Sequence, residues 1–96
     1  MDIILEKSKR KNKKWMVKVN NETIHFGDDR YEDYTQHGNK MRRSLYTTRH
    51  KKNEDWTKKG INTAGFWSRW LTWEKPTIKG SIKNIEDKFN VTILML

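Results

Sequence analysis

Cysteine is absent from this chain, and proline occurs once, at Pro76. The first absence excludes a disulfide scaffold and any thiolate metal site, and in so small a domain it points to a reducing compartment. No apolar run approaches the ~20 residues of a membrane-spanning helix, so no membrane partner is expected. The opening MDIILEKSKRKNKK puts its apolar residues before its basic ones and carries Asp2, the wrong order for a secretory signal. Secretion is therefore not expected, and the sequons at Asn21 and Asn90 read as chance in an asparagine-rich chain. Internal repeats and linkers are missing too, so residues 1–96 read as a single domain.

Aliphatic residues are scarce. Hydrophobic residues make up 33% of the chain and charged residues 34%, which leaves little material for a core. Ring size offsets the deficit. The chain has five tryptophans, three tyrosines and three phenylalanines, and each buried ring removes ~150–250 Å² from water. The richest stretch is residues 60–76, GINTAGFWSRWLTWEKP. In a chain this poor in aliphatics its rings are needed inside. Phe66, Trp67, Trp70 and Trp73 therefore read as a structural keystone, with Arg69 threaded between indoles. Asn62 or Thr63 suits an N-cap, Pro76 stops the segment, and the apolar pattern covers enough of a helix to be wrapped on most sides.

The usual catalytic signatures are also missing. There is no nucleophile elbow, phosphate-binding glycine loop or Cys/His pair. His50 and Glu54 stand four apart, but a zinc-peptidase site needs a second histidine at helical spacing and a glutamate between the two. No metal and no cofactor is expected, and the chain reads as no enzyme. One weaker alternative is a metal-dependent nuclease holding Mg²⁺ with carboxylates among Asp28, Asp29, Glu32 and Asp33. The plainer reading makes those residues a solvated acidic loop, or a counter-charge for Arg42 and Arg43.

What is abundant is positive charge: a net +9 and a pI near 9.9. That balance favours an anionic partner: nucleic acid, an anionic membrane face or an acidic protein surface, of which the first and last are expected here. Two segments concentrate it. The first is 7–14, a basic arm or loop carrying Lys7, Lys9, Arg10, Lys11, Lys13 and Lys14. The second lies within 40–52 and carries Arg42, Arg43, Arg49, Lys51 and Lys52. Both interleave with aromatic residues, a combination suited to holding phosphates and stacking bases.

The remaining pattern predicts an α+β domain. Ile3, Ile4 and Leu5 suggest an edge strand. Trp15, Val17 and Val19 alternate as a strand does, Asn20-Asn21 suits a tight turn, and Ile24 and Phe26 return on the tryptophan face, giving a β-hairpin over 14–27. Residues 40–52 suit a helix with Met41 and Leu45 on its apolar face. Ile78, Ile82, Ile85 and Phe89 form a clear helical stripe, with Gly80 deferring the start to Ser81. Residues 91–96 suit a central or covered strand. The whole reads as a small antiparallel sheet, a β-hairpin plus terminal strands, covered by two or three short helices.

Four segments carry a resemblance. They are His25-Phe26-Gly27, Tyr31 to His37 (YEDYTQH), Arg49 to Trp56 (RHKKNEDW) and Thr63 to Pro76 (TAGFWSRWLTWEKP). Together, between about Lys14 and Ile82, the chain resembles a small uncharacterised protein family of giant (nucleocytoplasmic large) DNA viruses. It departs from that family at Gly38-Asn39, where the family carries an acidic residue. The resemblance implies an origin more than an activity: a viral protein, in the virion or the infected-cell cytoplasm, with nucleic acid or capsid proteins as partners. The combined expectation is a non-enzymatic basic binding module contacting nucleic acid or packed in the virion. The alternative is a minor capsid or cement-type structural protein.

Overall fold

Asn20 and Asn21 both adopt left-handed backbone, with φ of 49° and 68°. A two-residue hairpin turn requires this, and asparagine tolerates it better than most residues. The turn joins β2 (Lys13–Val19) to β3 (Glu22–Asp28), with Trp15 opposite Phe26 and Val17 opposite Ile24. The expected hairpin and its shared apolar face are both present in this computed structural model, which describes all of residues 1–96.

β1 (Asp2–Lys7) runs antiparallel to β2, and β4 (Thr92–Met95) runs parallel to β1, so the strand order is β3-β2-β1-β4. The α+β class is as the sequence predicts, but the sheet is mixed, not purely antiparallel. The two terminal strands also exchange their expected places. β1 is interior, with Ile3 and Leu5 fully buried, whereas β4 is an edge whose Leu94 and neighbouring Met95 and Leu96 are exposed. The basic segment 7–14 is a hairpin connection: its ends lie in β1 and β2, and the turn between them is pinned by Ser8 N–H to Lys14 O and Lys13 N–H to Arg10 O, with Asn12 at a φ of 66°.

Helices lie over one face of this sheet. α1 (Tyr34–His37) is a single turn, α2 (Lys40–His50) follows, and α4 (Ile78–Phe89) carries the predicted stripe. α4 starts at Ile78 instead of Ser81 because Thr77 caps it, its hydroxyl accepting from Gly80 N–H at 3.0 Å. A Cβ at position 80 would lie 2.9 Å from that oxygen, so glycine admits the cap and does not delay the helix.

The tryptophan stretch forms α3 (Ala64–Trp67), capped by Thr63, and runs on as a π-helical turn over Ser68–Thr72. It is the keystone the sequence suggests: no residue from 65 to 74 is exposed. Phe66 and Trp67 are fully buried, packed against Phe26 of the sheet and Phe89 of α4. The buried indoles keep their donors satisfied, Trp67 through Ile61 O at 2.6 Å and Trp70 through Trp56 O at 2.9 Å. The Arg69 guanidinium lies 4.5 Å from the Trp70 ring and 5.3 Å from the Trp56 ring, between two indoles as expected.

Buried Gly60 precedes this stretch, and a Cβ there would sit 2.0 Å from the Asp55 carbonyl oxygen. Backbone cannot retreat as a side-chain tip can. Gly60→Ala is therefore expected to cost about 1–3 kcal/mol or more, read as a lower urea midpoint. A midpoint unchanged from wild type would show that the Asp55 turn is free to move.

α2 departs most from expectation. Met41 and Leu45 are 74% and 54% exposed, and the helix instead buries Tyr46. Its inner face consists of Arg43, Tyr46 and His50. That set is spaced by three and four residues, but only its middle member is an obvious core residue.

Candidate binding cleft

Tyr46 is the centre of this inner face. Its ring stacks on Trp73, nearly parallel at 4.4 Å, and on His50 at 4.3 Å. Burial raises the phenol's pKa to about 12; the nearby Glu54 charge adds to this, while the Ser68 hydroxyl works the other way. α2 is thus held by stacked rings and by Arg43, which bonds to Trp73 O at 3.0 Å and pairs with Glu74.

Two glycines then allow close approach. Gly27 has a φ of 77°, and a Cβ there would press on the Lys14 side chain at 3.3 Å. Lys14 crosses it to reach Asp33 at 2.7 Å and Gln36 at 2.6 Å. Asp33 and Gln36 also form the capping box of α1. Gly65 plays the same part for Glu54: its missing Cβ would lie 1.6 Å from Glu54 Oε2, so the glycine makes room for the carboxylate.

These features enclose a half-open cleft of about 520 Å³, well within the range of ligand sites. All four segments singled out in the sequence line it: Phe26 and Gly27 from the first, Tyr31, Glu32 and Asp33 from the second, Arg49, His50 and Glu54 from the third, and Gly65, Ser68 and Trp73 from the fourth. A smaller hollow of about 280 Å³ shares Tyr31, Glu32, Arg49 and Trp73 and extends to Arg42 and Leu45.

The predicted basic residues divide into two groups. Lys7, Lys9, Arg10, Lys11, Arg42, Arg49, Lys51 and Lys52 are exposed, and Lys13 is half-buried. Lys7 Nζ lies 5.9 Å from the Trp15 ring. Lys14 and Arg43 are structural cations: the Lys14 side chain is 13% exposed and held by Asp33, while Arg43 pairs with Glu74 and lies 5.6 Å from the Tyr34 ring. The cleft brings the two basic segments together, since Lys13 and Arg49 both line it.

Two carboxylates of the acidic segment are engaged within the fold. Asp28 is held by Arg30 at 2.9 Å, and those hydrogen bonds lower its pKa to about 2. Asp33 is turned to Lys14 and Thr35. No three metal-ligating side chains converge anywhere in the chain. The acidic counter-charges serve Lys14 and Arg30, not Arg42 and Arg43. The other histidines are apart from one another: His25 Nδ1 is 2.8 Å from Ser8 Oγ, and His37 Nδ1 accepts from Asn39 N–H.

Residue-by-residue reading missed the cleft's interior: Tyr31, Tyr46, His50, Glu54 and Ser68. Each of the four segments carries an aromatic ring, but only the fold shows that the segments meet. No helix is long and apolar enough to cross a membrane.

No curated protein and no solved structure matched the chain. Residues 3–50, half of the chain and its part from β1 to the end of α2, match the model of a family of unknown function, DUF5754, and the protein belongs to that family.

Proposed function

We propose that this protein is a non-enzymatic basic module that binds nucleic acid, in the setting of a giant virus that its motifs suggest. The observation that carries the reading is the placement of cations. Lys9, Arg10 and Lys11 on the β1–β2 turn and Arg42, Arg49, Lys51 and Lys52 around α2 all face solvent, and Lys13 and Arg49 share one cleft. A net +9 on 96 residues would draw in a polyanion over long range. Phosphate contacts then release counterions, adding ~0.9 per contact to the salt-dependence slope on duplex DNA and ~0.7 on single strands.

The test is a fluorescence-anisotropy titration of DNA at several salt concentrations. We expect binding that weakens steeply with salt, and a slope smaller by ~2 on single strands when Lys9, Arg10 and Lys11 are changed to Gln. No binding at low salt would overturn the reading. A second reading, a minor capsid or cement-type protein, draws on the exposed apolar edge at Leu94, Met95 and Leu96. Recovery of the protein in capsid shells free of genome would favour it.

A further inference from the structure

We propose that the cleft receives a single unstacked base of a single-stranded nucleic acid, and that Glu54 reads the base's amino group; this rests on the nucleic-acid reading above. Lys14 is neutralised by Asp33 and Asp28 by Arg30. Of the unpaired charges on the cleft, Lys13 and Arg49 are cationic and Glu32 and Glu54 anionic. A balanced interior does not gather phosphates. It suits a neutral heterocycle inside, with the flanking phosphates left to exposed cations outside.

At about 520 Å³ and half open, the cleft has room for a nucleotide and an entry for one. Tyr31 stands on it at 69% exposure, a large ring left mostly to solvent. Exposed rings beside cations are the recurring means of holding unstacked bases, each stack being worth ~1–3 kcal/mol.

The Glu54 carboxylate lines the cleft, belongs to none of the fold's ion pairs, and occupies space that Gly65 leaves open. Ionised carboxylates only accept. Glu54 therefore favours a base edge bearing an amino group and disfavours thymine, which presents a carbonyl oxygen at the equivalent position.

The experiment compares binding of dC15 and dT15, two weakly stacked strands of equal charge. The wild-type protein should bind dC15 about tenfold more tightly, as one hydrogen bond to a charged group would give. In Glu54→Gln the ratio should fall to about one, because an amide serves amino and carbonyl edges alike. Tyr31→Ala should weaken both strands by a similar factor, since stacking is indifferent to the base edge. Circular dichroism of each variant confirms that it is folded. Equal wild-type affinity for the two strands, or a preference that survives Glu54→Gln, would overturn the inference while leaving nucleic-acid binding intact. Absence of binding to either strand at low salt would remove both.

Discussion

Trp67→Ala should bring the domain to the edge of unfolding at 25 °C. The side chain is fully buried, packs on Phe26 and Phe66, and its indole donates to Ile61 O. Truncating a buried tryptophan costs ~3–5 kcal/mol, and the orphaned carbonyl adds ~1–3 kcal/mol if water cannot reach it. A chain of 96 residues has only ~5–14 kcal/mol of stability to lose. We expect a thermal midpoint lower by ~15–40 °C, at ~4–8 °C for each kcal/mol in a domain of this size. Trp67→Phe keeps most of the volume and should lose about half as much. A drop of only a few degrees in Trp67→Ala would mean that the aromatic stretch is peripheral to the fold.

The second large effect belongs to Glu74. One carboxylate oxygen serves both Arg43 and Arg69, so it ties α2 to the π-helical turn. Burial pushes the Glu74 pKa up, but hydrogen bonds from Arg69 and Arg43 together outweigh it, and the net value is lowered. A depressed folded value means that the carboxylate stabilises the fold fully above its unfolded pKa. That stabilisation is lost as pH falls through the folded value. Glu74→Gln leaves Arg69, 13% exposed, without its charge partner. Removing one partner from a buried pair costs ~3–5 kcal/mol, and the partial exposure of Arg43 reduces this to ~2–3 kcal/mol. Urea midpoints should show the variant well below wild type at pH 7, with the gap closing as pH falls below the ordinary glutamate range and through the lowered folded value. A gap that is constant with pH would show that the effect does not run through the Glu74 charge.

The elements governed by local rules were legible in the sequence. The asparagine pair at 20–21, the Thr63 cap, the Ile78-to-Phe89 stripe and the wrapped stretch at 65–74 each follow from spacing, conformation or ring size. Errors arise where a distant partner decides. Ile3-Ile4-Leu5 and Val91–Leu96 are both apolar on two faces, so only long-range pairing tells which is interior. On α2, hydropathy selects Met41 and Leu45. The fold selects Tyr46, because Trp73 and Glu74 offer a ring and a carboxylate that match the Arg43–Tyr46–His50 face. Lys14 resembles its basic neighbours until Gly27 lets it lie flat and reach Asp33. The cleft is harder still. It is built from four segments, and each contributes residues unremarkable alone.

The pairing of β1 with β4 bears on how the fold forms. Ile3 and Ile93 are register partners 90 residues apart, and closing so long a flexible loop costs about 4 kcal/mol in chain entropy. β1, β2 and β3 meet through short turns with no such cost. The three-stranded meander can therefore assemble early, with docking of β4 as the late and slow step of high contact order. The same asymmetry holds in reverse. Local opening would release β4 first and expose the backbone edge of β1, while the cleft at the opposite end of the sheet order stays intact.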